Sequence, residues 1–186
     1  MSLCGTVTTG RSKWEHKHMP LSMYQAAVPP FLQILGSLVE IIDKTEAHCS
    51  TAKIAPEVML QTRLIPDMFP LVRQIQIATD QAKGAVARLA GEEIPSYPDS
   101  EVDFVALKER LRKTIAFVKS FKPEQIDGSE EKNIVLKLGG TEKQFSGRHY
   151  LLNFSLPNFY FHATTAYAII RSSGVAIGKT DFLGKI

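Results

Sequence analysis

Apolar residues recur at helical spacing over most of the chain. From Ser22, which suits an N-cap, Phe31, Leu35, Leu38, Ile42 and Ala47 follow at steps of three to five. This predicts a first helix from Ser22 to about Ser50. Pro29 and Pro30 lie inside it, so the helix either kinks there or starts only at Pro29. APEVMLQTRLIPDMFP breaks the period and reads as a short helical turn followed by a loop. A second helix follows. Asp67 is its expected N-cap, and Pro70 falls in the first turn, where a missing N–H costs little. Met68, Leu71, Ile75, Ala78, Ala82, Val86 and Leu89 repeat at three and four, and Gly91 ends it. That is the spacing of a bundle helix.

After the loop GEEIPSYPDSE, Asp103 to Phe121 reads as a third helix. Its stripe is Phe104, Leu107, Leu111, Thr114, Ile115 and Val118. Lys108, Glu109, Arg110, Arg112 and Lys113 read as its solvated face. The period then changes to two in NIVLKLGGTEKQFS, around Gly139 and Gly140, the signature of a two-residue hairpin. With Leu138 opposite Thr141, Ile134, Leu136, Leu138 and Phe145 share one face. That face must cover something, because a lone hairpin is not stable in water. The fourth helix runs from about Gly147 to Ser173, with Pro157 kinking it or resetting its start and Gly174 ending it. In the tail VAIGKTDFLGKI, Val175, Ile177, Phe182 and Leu183 are expected to dock on the bundle. There is no internal repeat. The predicted architecture is an all-α four-helix bundle with a small β-hairpin before the last helix.

Composition changes this picture little. With 186 residues, 44% hydrophobic and 22% charged, the chain suits one globular domain, taken as residues 19–186. Residues 1–18 have no periodicity and read as a disordered leader. Arg11, Lys13 and Lys17 against Glu15 place +2 of the net +3 there, leaving a nearly neutral domain. That balance lacks the electrostatic footprint of a nucleic-acid binder. His16 and His18 read as exposed histidines. Cys4 and Cys49 have no paired spacing, so free thiols in a reducing compartment are expected. No signal-peptide core is visible, and Leu151 to Ile170 is too polar for a lipid-exposed span. A soluble, cytoplasmic protein without membrane or nucleic-acid partners is the expectation.

The candidate chemistry lies in the fourth helix. PNFYFHATTAYAIIR is apolar on nearly every side, so this helix should be the most buried. Yet Leu151, Ser155, Asn158, His162, Thr165 and Ile169 form one line that is polar in its middle. A buried amide or imidazole without a partner costs about 1–3 kcal/mol. Helix two offers Gln74, with Asp67 before it and Asp80 after it. The plain reading is a polar knot in which His162 bonds Gln74 or Asp67; a metal or catalytic site is the sharper one. The candidate pocket is Gln74, Asn158, His162, Asp67 and Tyr160, with Tyr167 nearby.

YFHATTAYAIIRSSG resembles the closing motif of the DinB-like bundles. There, a histidine is followed by an arginine and a glycine at the spacing of Arg171 and Gly174. DMFPLVRQIQIATDQAKGAVARLAG, PNFYFH and GKTDFLG together resemble a bacterial and fungal subfamily of unassigned function. The resemblance spans Pro20 to Gly184. It implies a four-helix bundle, often a homodimer, and in many members a divalent metal held by three histidines. Carried over by position, His162 matches the second histidine of helix four, Asn158 stands at the first, and Gln74 at that of helix two. One imidazole and two amides make a poor zinc or nickel site. Two functions stay open: an altered divalent-metal site between helices two and four, with His162 as ligand or base, or a non-catalytic bundle that binds a small molecule or dimerises without metal. No nucleophile lies beside His162, and no G-x-G-x-x-G, Walker, H-E-x-x-H or C-x-x-C motif occurs.

Overall fold

The computed structural model describes residues 21–184; the leader, with Cys4, His16 and His18, lies outside the described residues. Helix α1 spans Met23–Ala52. Ser22 Oγ accepts the Gln25 N–H, and Gln25 Oε1 accepts that of Ser22, a reciprocal capping box. This cap commits the helix before the prolines, so α1 starts at Met23 and carries Pro29 and Pro30 inside it. By length and apolarity α1 could cross a membrane, but core helices meet the same test. Here Ala27, Phe31, Leu35, Leu38, Ile41 and Ile42 are fully buried in the bundle.

Helix α2, Pro56–Gln61, is short and leads to an irregular segment. Helix α3 then spans Leu71–Ala90. Asp67 is not its N-cap. Pro70 occupies that position without a side-chain bond, and Asp67 is exposed in the preceding turn. The Leu71 N–H is instead accepted by the Thr62 carbonyl at 2.9 Å, so the end of α2 supplies the cap. Gly91 closes α3 at φ 83°, a left-handed position that glycine takes without strain.

Helix α4 spans Phe104–Lys119, capped by Asp103 Oδ1, which accepts the Ala106 N–H at 2.8 Å. Its charged face is not wholly solvated: the Arg110 side chain is 2% exposed and turned toward α3. A one-turn helix α5 follows at Pro123–Ile126. Strands β1, Asn133–Leu138, and β2, Thr141–Ser146, pair antiparallel with Leu138 opposite Thr141 and Ile134 opposite Phe145, the predicted register. Ile134 and Leu136 are buried, and Phe145 packs near Tyr150 and Phe154.

The last helix is built in pieces. Gly147–His149 forms α6, Tyr150–Ser155 is a π-helical segment, and α7 spans Leu156–Ser172. Pro157 accounts for the join. It has no N–H for the Asn153 carbonyl, and the Leu156 N–H reaches back five residues to Leu151. Pro157 therefore sits in the first turn of α7, where it is tolerated. A final helix α8, Lys179–Leu183, docks on α1, and Gln33 Nε2 donates to the Leu183 carbonyl at 2.8 Å.

The four long helices α1, α3, α4 and α7 form the bundle. α3 packs against both α4 and α7, and α1 against α4. The most enclosed helix is α3, not α7. Beyond its apolar stripe, Gln74, Gln76, Thr79, Lys83 and Gly84 are also buried on α3, whereas Tyr160 and Phe161 of α7 are 38% and 57% exposed.

Candidate functional site

The α3–α7 junction brings two of the expected residues into contact. Gln74 lies one turn into α3 and is 1% exposed. Its Nε2 donates to the Phe69 carbonyl at 3.0 Å, and its Oε1 meets His162 Nδ1 at 2.7 Å. A carbonyl only accepts, so Phe69 fixes which end of the amide is NH₂. Oε1 then faces the imidazole, and Nδ1 must carry the proton. In the neutral ring this leaves Nε2 as a lone pair. His162 is half-buried. That burial, and secondarily the Arg73 guanidinium, hold its pKa below the ordinary 6.5. The neutral ring is therefore favoured.

The rest of the polar line is satisfied within its own helix or by α3. Asn158 Nδ2 donates to the Phe154 carbonyl at 3.0 Å, Thr165 Oγ1 to that of Phe161 at 2.7 Å, and Ser155 Oγ to that of Gln81 at 3.4 Å. The Asn158 side chain is thus engaged with its own helix. Asp67 does not join the site, since it stays exposed in its turn. Asp80 is engaged elsewhere, with Lys83 at 2.9 Å and Arg110 at 3.0 Å. Tyr160 faces an adjoining outer groove of about 400 Å³, lined also by Leu64, Pro157, Phe161, Thr164, Thr165 and Ala168 and not by Gln74 or His162. Burial pushes its phenol pKa up. Tyr167 packs edge-on against Phe182. Cys49 is a buried free thiol whose pKa burial raises, which suits an inert group.

These donors do not fit a divalent metal. Gln74 Oε1 is already bonded to Nδ1, which leaves His162 Nε2 and the Asn158 carbonyl oxygen. One imidazole and one amide fall short of the three or four ligands that zinc or nickel needs. No cluster of three histidine, cysteine or acidic residues suited to a metal occurs among the described residues.

A second polar centre was not anticipated. Arg110 Nε donates to Thr79 Oγ1 at 2.8 Å, Nη2 to Asp80 at 3.0 Å, and Nη1 to Glu101 Oε1 at 3.0 Å and the Pro98 carbonyl at 3.2 Å. Tyr97 lies beside it, with the Lys83 and Lys113 ammoniums 4.1 and 4.2 Å from its ring centre. A 310 Å³ cavity opens between Tyr97, Glu101, Arg110 and Lys113. Each guanidinium nitrogen has a partner within the protein, so the cluster pins the 91–103 loop to α3 and α4. One signal was available: Leu107, Arg110 and Thr114 fall on one face at three and four.

Comparison with known proteins agrees with this architecture. The family model for a domain of unknown function, DUF1993, matches residues 23–183. The crystal structure of a DinB family member from Shewanella denitrificans is similar at 36% identity, with a TM-score of 0.79. The match covers 88% of this chain and 92% of that one. A search of curated proteins finds no match.

Proposed function

Since the chain belongs to the DUF1993 family and is DinB-like, we propose that it binds a small molecule at the α3–α7 junction through His162, without a divalent metal. The 2.7 Å contact between His162 Nδ1 and Gln74 Oε1 carries this reading. It commits Gln74 to the imidazole and orients that ring with a protein amide. The surroundings suit a ligand with an apolar body and a polar group. Phe69 and Phe161 are 54% and 57% exposed. The Phe69 carbonyl holds Gln74, and the Phe161 ring meets the imidazole edge-on at 5.2 Å.

The test is a thermal-shift screen of apolar amides and alcohols against the wild type and His162→Ala. Compounds that raise the Tm of the wild type and not of the variant are expected. If no compound distinguishes the two proteins, the reading fails.

One observation favours a second reading, a homodimer. Leu64, Ile65, Phe69, Tyr160 and Phe161 are 38–57% exposed on neighbouring segments, an apolar face suited to association. Light scattering of wild type and Phe161→Asp tests it. A dimer that the substitution splits would support it, and a monomeric wild type would end it.

A further inference from the structure

We propose that Gln74 is a positioning residue that locks His162 in the Nδ1–H tautomer and so presents Nε2 as a hydrogen-bond acceptor for a ligand's O–H or amide N–H. The inference rests on the small-molecule reading above and adds the class of group that the site recognises.

Three observations support it. The first is the chain of contacts: the Phe69 carbonyl accepts from Gln74 Nε2, and Gln74 Oε1 accepts from Nδ1–H, at 3.0 and 2.7 Å. With the amide turned over, NH₂ could donate to a bare Nδ1, but Oε1 would then face the Phe69 carbonyl with no proton between them, so the Phe69 link selects the orientation that requires Nδ1–H. The second is the rigidity of the holder. Gln74 is 1% exposed on the most enclosed helix of the bundle, so its amide has nowhere else to turn. The third is the state of Nε2. It has no hydrogen-bond partner among the described residues, and the ring that carries it is half-buried and not sealed in the core. A lone pair that meets both conditions is available to an incoming donor.

The charged groups around the junction do not compete with this arrangement. Arg73 on α3 disfavours a second positive charge on the ring. Arg63, in the segment before α3, spends a guanidinium N–H on the Met68 carbonyl at 2.7 Å. Asp67 is exposed, and Asp80 is bound to Arg110 and Lys83. No carboxylate therefore takes the role of Gln74. The holder is a neutral acceptor, which orients the ring without favouring imidazolium. A metal-binding imidazole also has its second nitrogen held by an outer partner. The same device here leaves Nε2 to an organic donor, since no set of three metal ligands occurs among the described residues.

The test is two-bond ¹⁵N–¹H correlation of histidine-labelled protein above pH 7, with His162 assigned by loss of its signals in His162→Asn. Wild type is expected to show Nδ1 protonated and Nε2 unprotonated. Gln74→Leu should return the ring to a mixed or Nε2–H state, and Gln74→Glu should keep Nδ1–H. A wild-type His162 in the Nε2–H form overturns the inference whether or not the variants fold, and so does a folded Gln74→Leu that keeps Nδ1–H. Benzyl alcohol and its methyl ether then separate the two ideas. Binding of the alcohol to wild type should be about fivefold tighter than binding of the ether, the size of one neutral hydrogen bond. A locked tautomer with neither compound bound would sink the small-molecule reading and spare the lock. Alcohol and ether bound alike, with Nε2 protonated, would do the reverse.

Discussion

Replacing Arg110 with methionine should destabilise the protein by about 3 kcal/mol, at the lower edge of the range for removing one partner of a buried ion pair. The reason is the company that Arg110 leaves behind. Glu101 is only 8% exposed at its side chain and would lose its cationic partner, keeping the Gln76 amide at 2.7 Å. Thr79 Oγ1 and the Pro98 carbonyl would each lose a donor. Asp80 and Asp99, the latter 3.1 Å from Arg110 Nη1, add little to the loss. Both are about 40% exposed and retain other cations, Lys83 and Arg73. Urea unfolding is the assay. With a slope of about 2 kcal/mol/M, the midpoint should fall by about 1.5 M. The companion variant Glu101→Gln removes the buried charge, so Arg110→Met with Glu101→Gln should cost less than the two single losses added together. A loss below about 1 kcal/mol for Arg110→Met, the range of an exposed pair, would refute the clasp.

His162 should give the stability a pH dependence of definite sign. Its folded pKa lies below the ordinary 6.5, so between those two values the unfolded chain holds more protons on this residue than the native one. Its contribution to stability is complete above 6.5 and declines as pH falls toward the folded pKa. The stability gap between wild type and His162→Gln should therefore narrow in unfolding curves from pH 7.5 to 5.5, and a widening gap would mean a raised pKa. Two glycines should respond oppositely to alanine. Around Gly36, inside α1, nothing among the described residues lies within 4 Å of an added Cβ, so Gly36→Ala should stabilise by about 0.5–1 kcal/mol. An added Cβ at Gly147 would lie 2.0 Å from the Ser129 carbonyl oxygen, so Gly147→Ala should cost about 2–3 kcal/mol. Denaturation midpoints that move the same way in both variants would contradict this packing.

The parts of the fold legible in the sequence are those that depend on local pattern. The N-cap at Ser22, the helix end at Gly91 and the hairpin register around Gly139–Gly140 each need only residues within a few positions of one another. What the sequence hid depends on distant partners. Asp67 looked like a cap, but the Leu71 N–H is taken by Thr62 across a turn. A helix apolar on every side has no pattern to show which side faces out, so the exposure of Tyr160 and Phe161 could not be read. Arg110 sits among four other charged residues and reads as surface until α3 supplies Thr79 and Asp80. The contact of His162 with Gln74 was legible for the opposite reason. A polar line in an apolar helix demands a partner, and helix two had few to offer.

The most direct test of metal-independent binding at His162 is elemental analysis by mass spectrometry. The protein should be purified untagged and without chelators, as wild type and as His162→Ala. The account predicts the same background content of divalent metal in both. Near-stoichiometric metal in the wild type that is lost in the variant would contradict it and restore a metal centre to the α3–α7 junction.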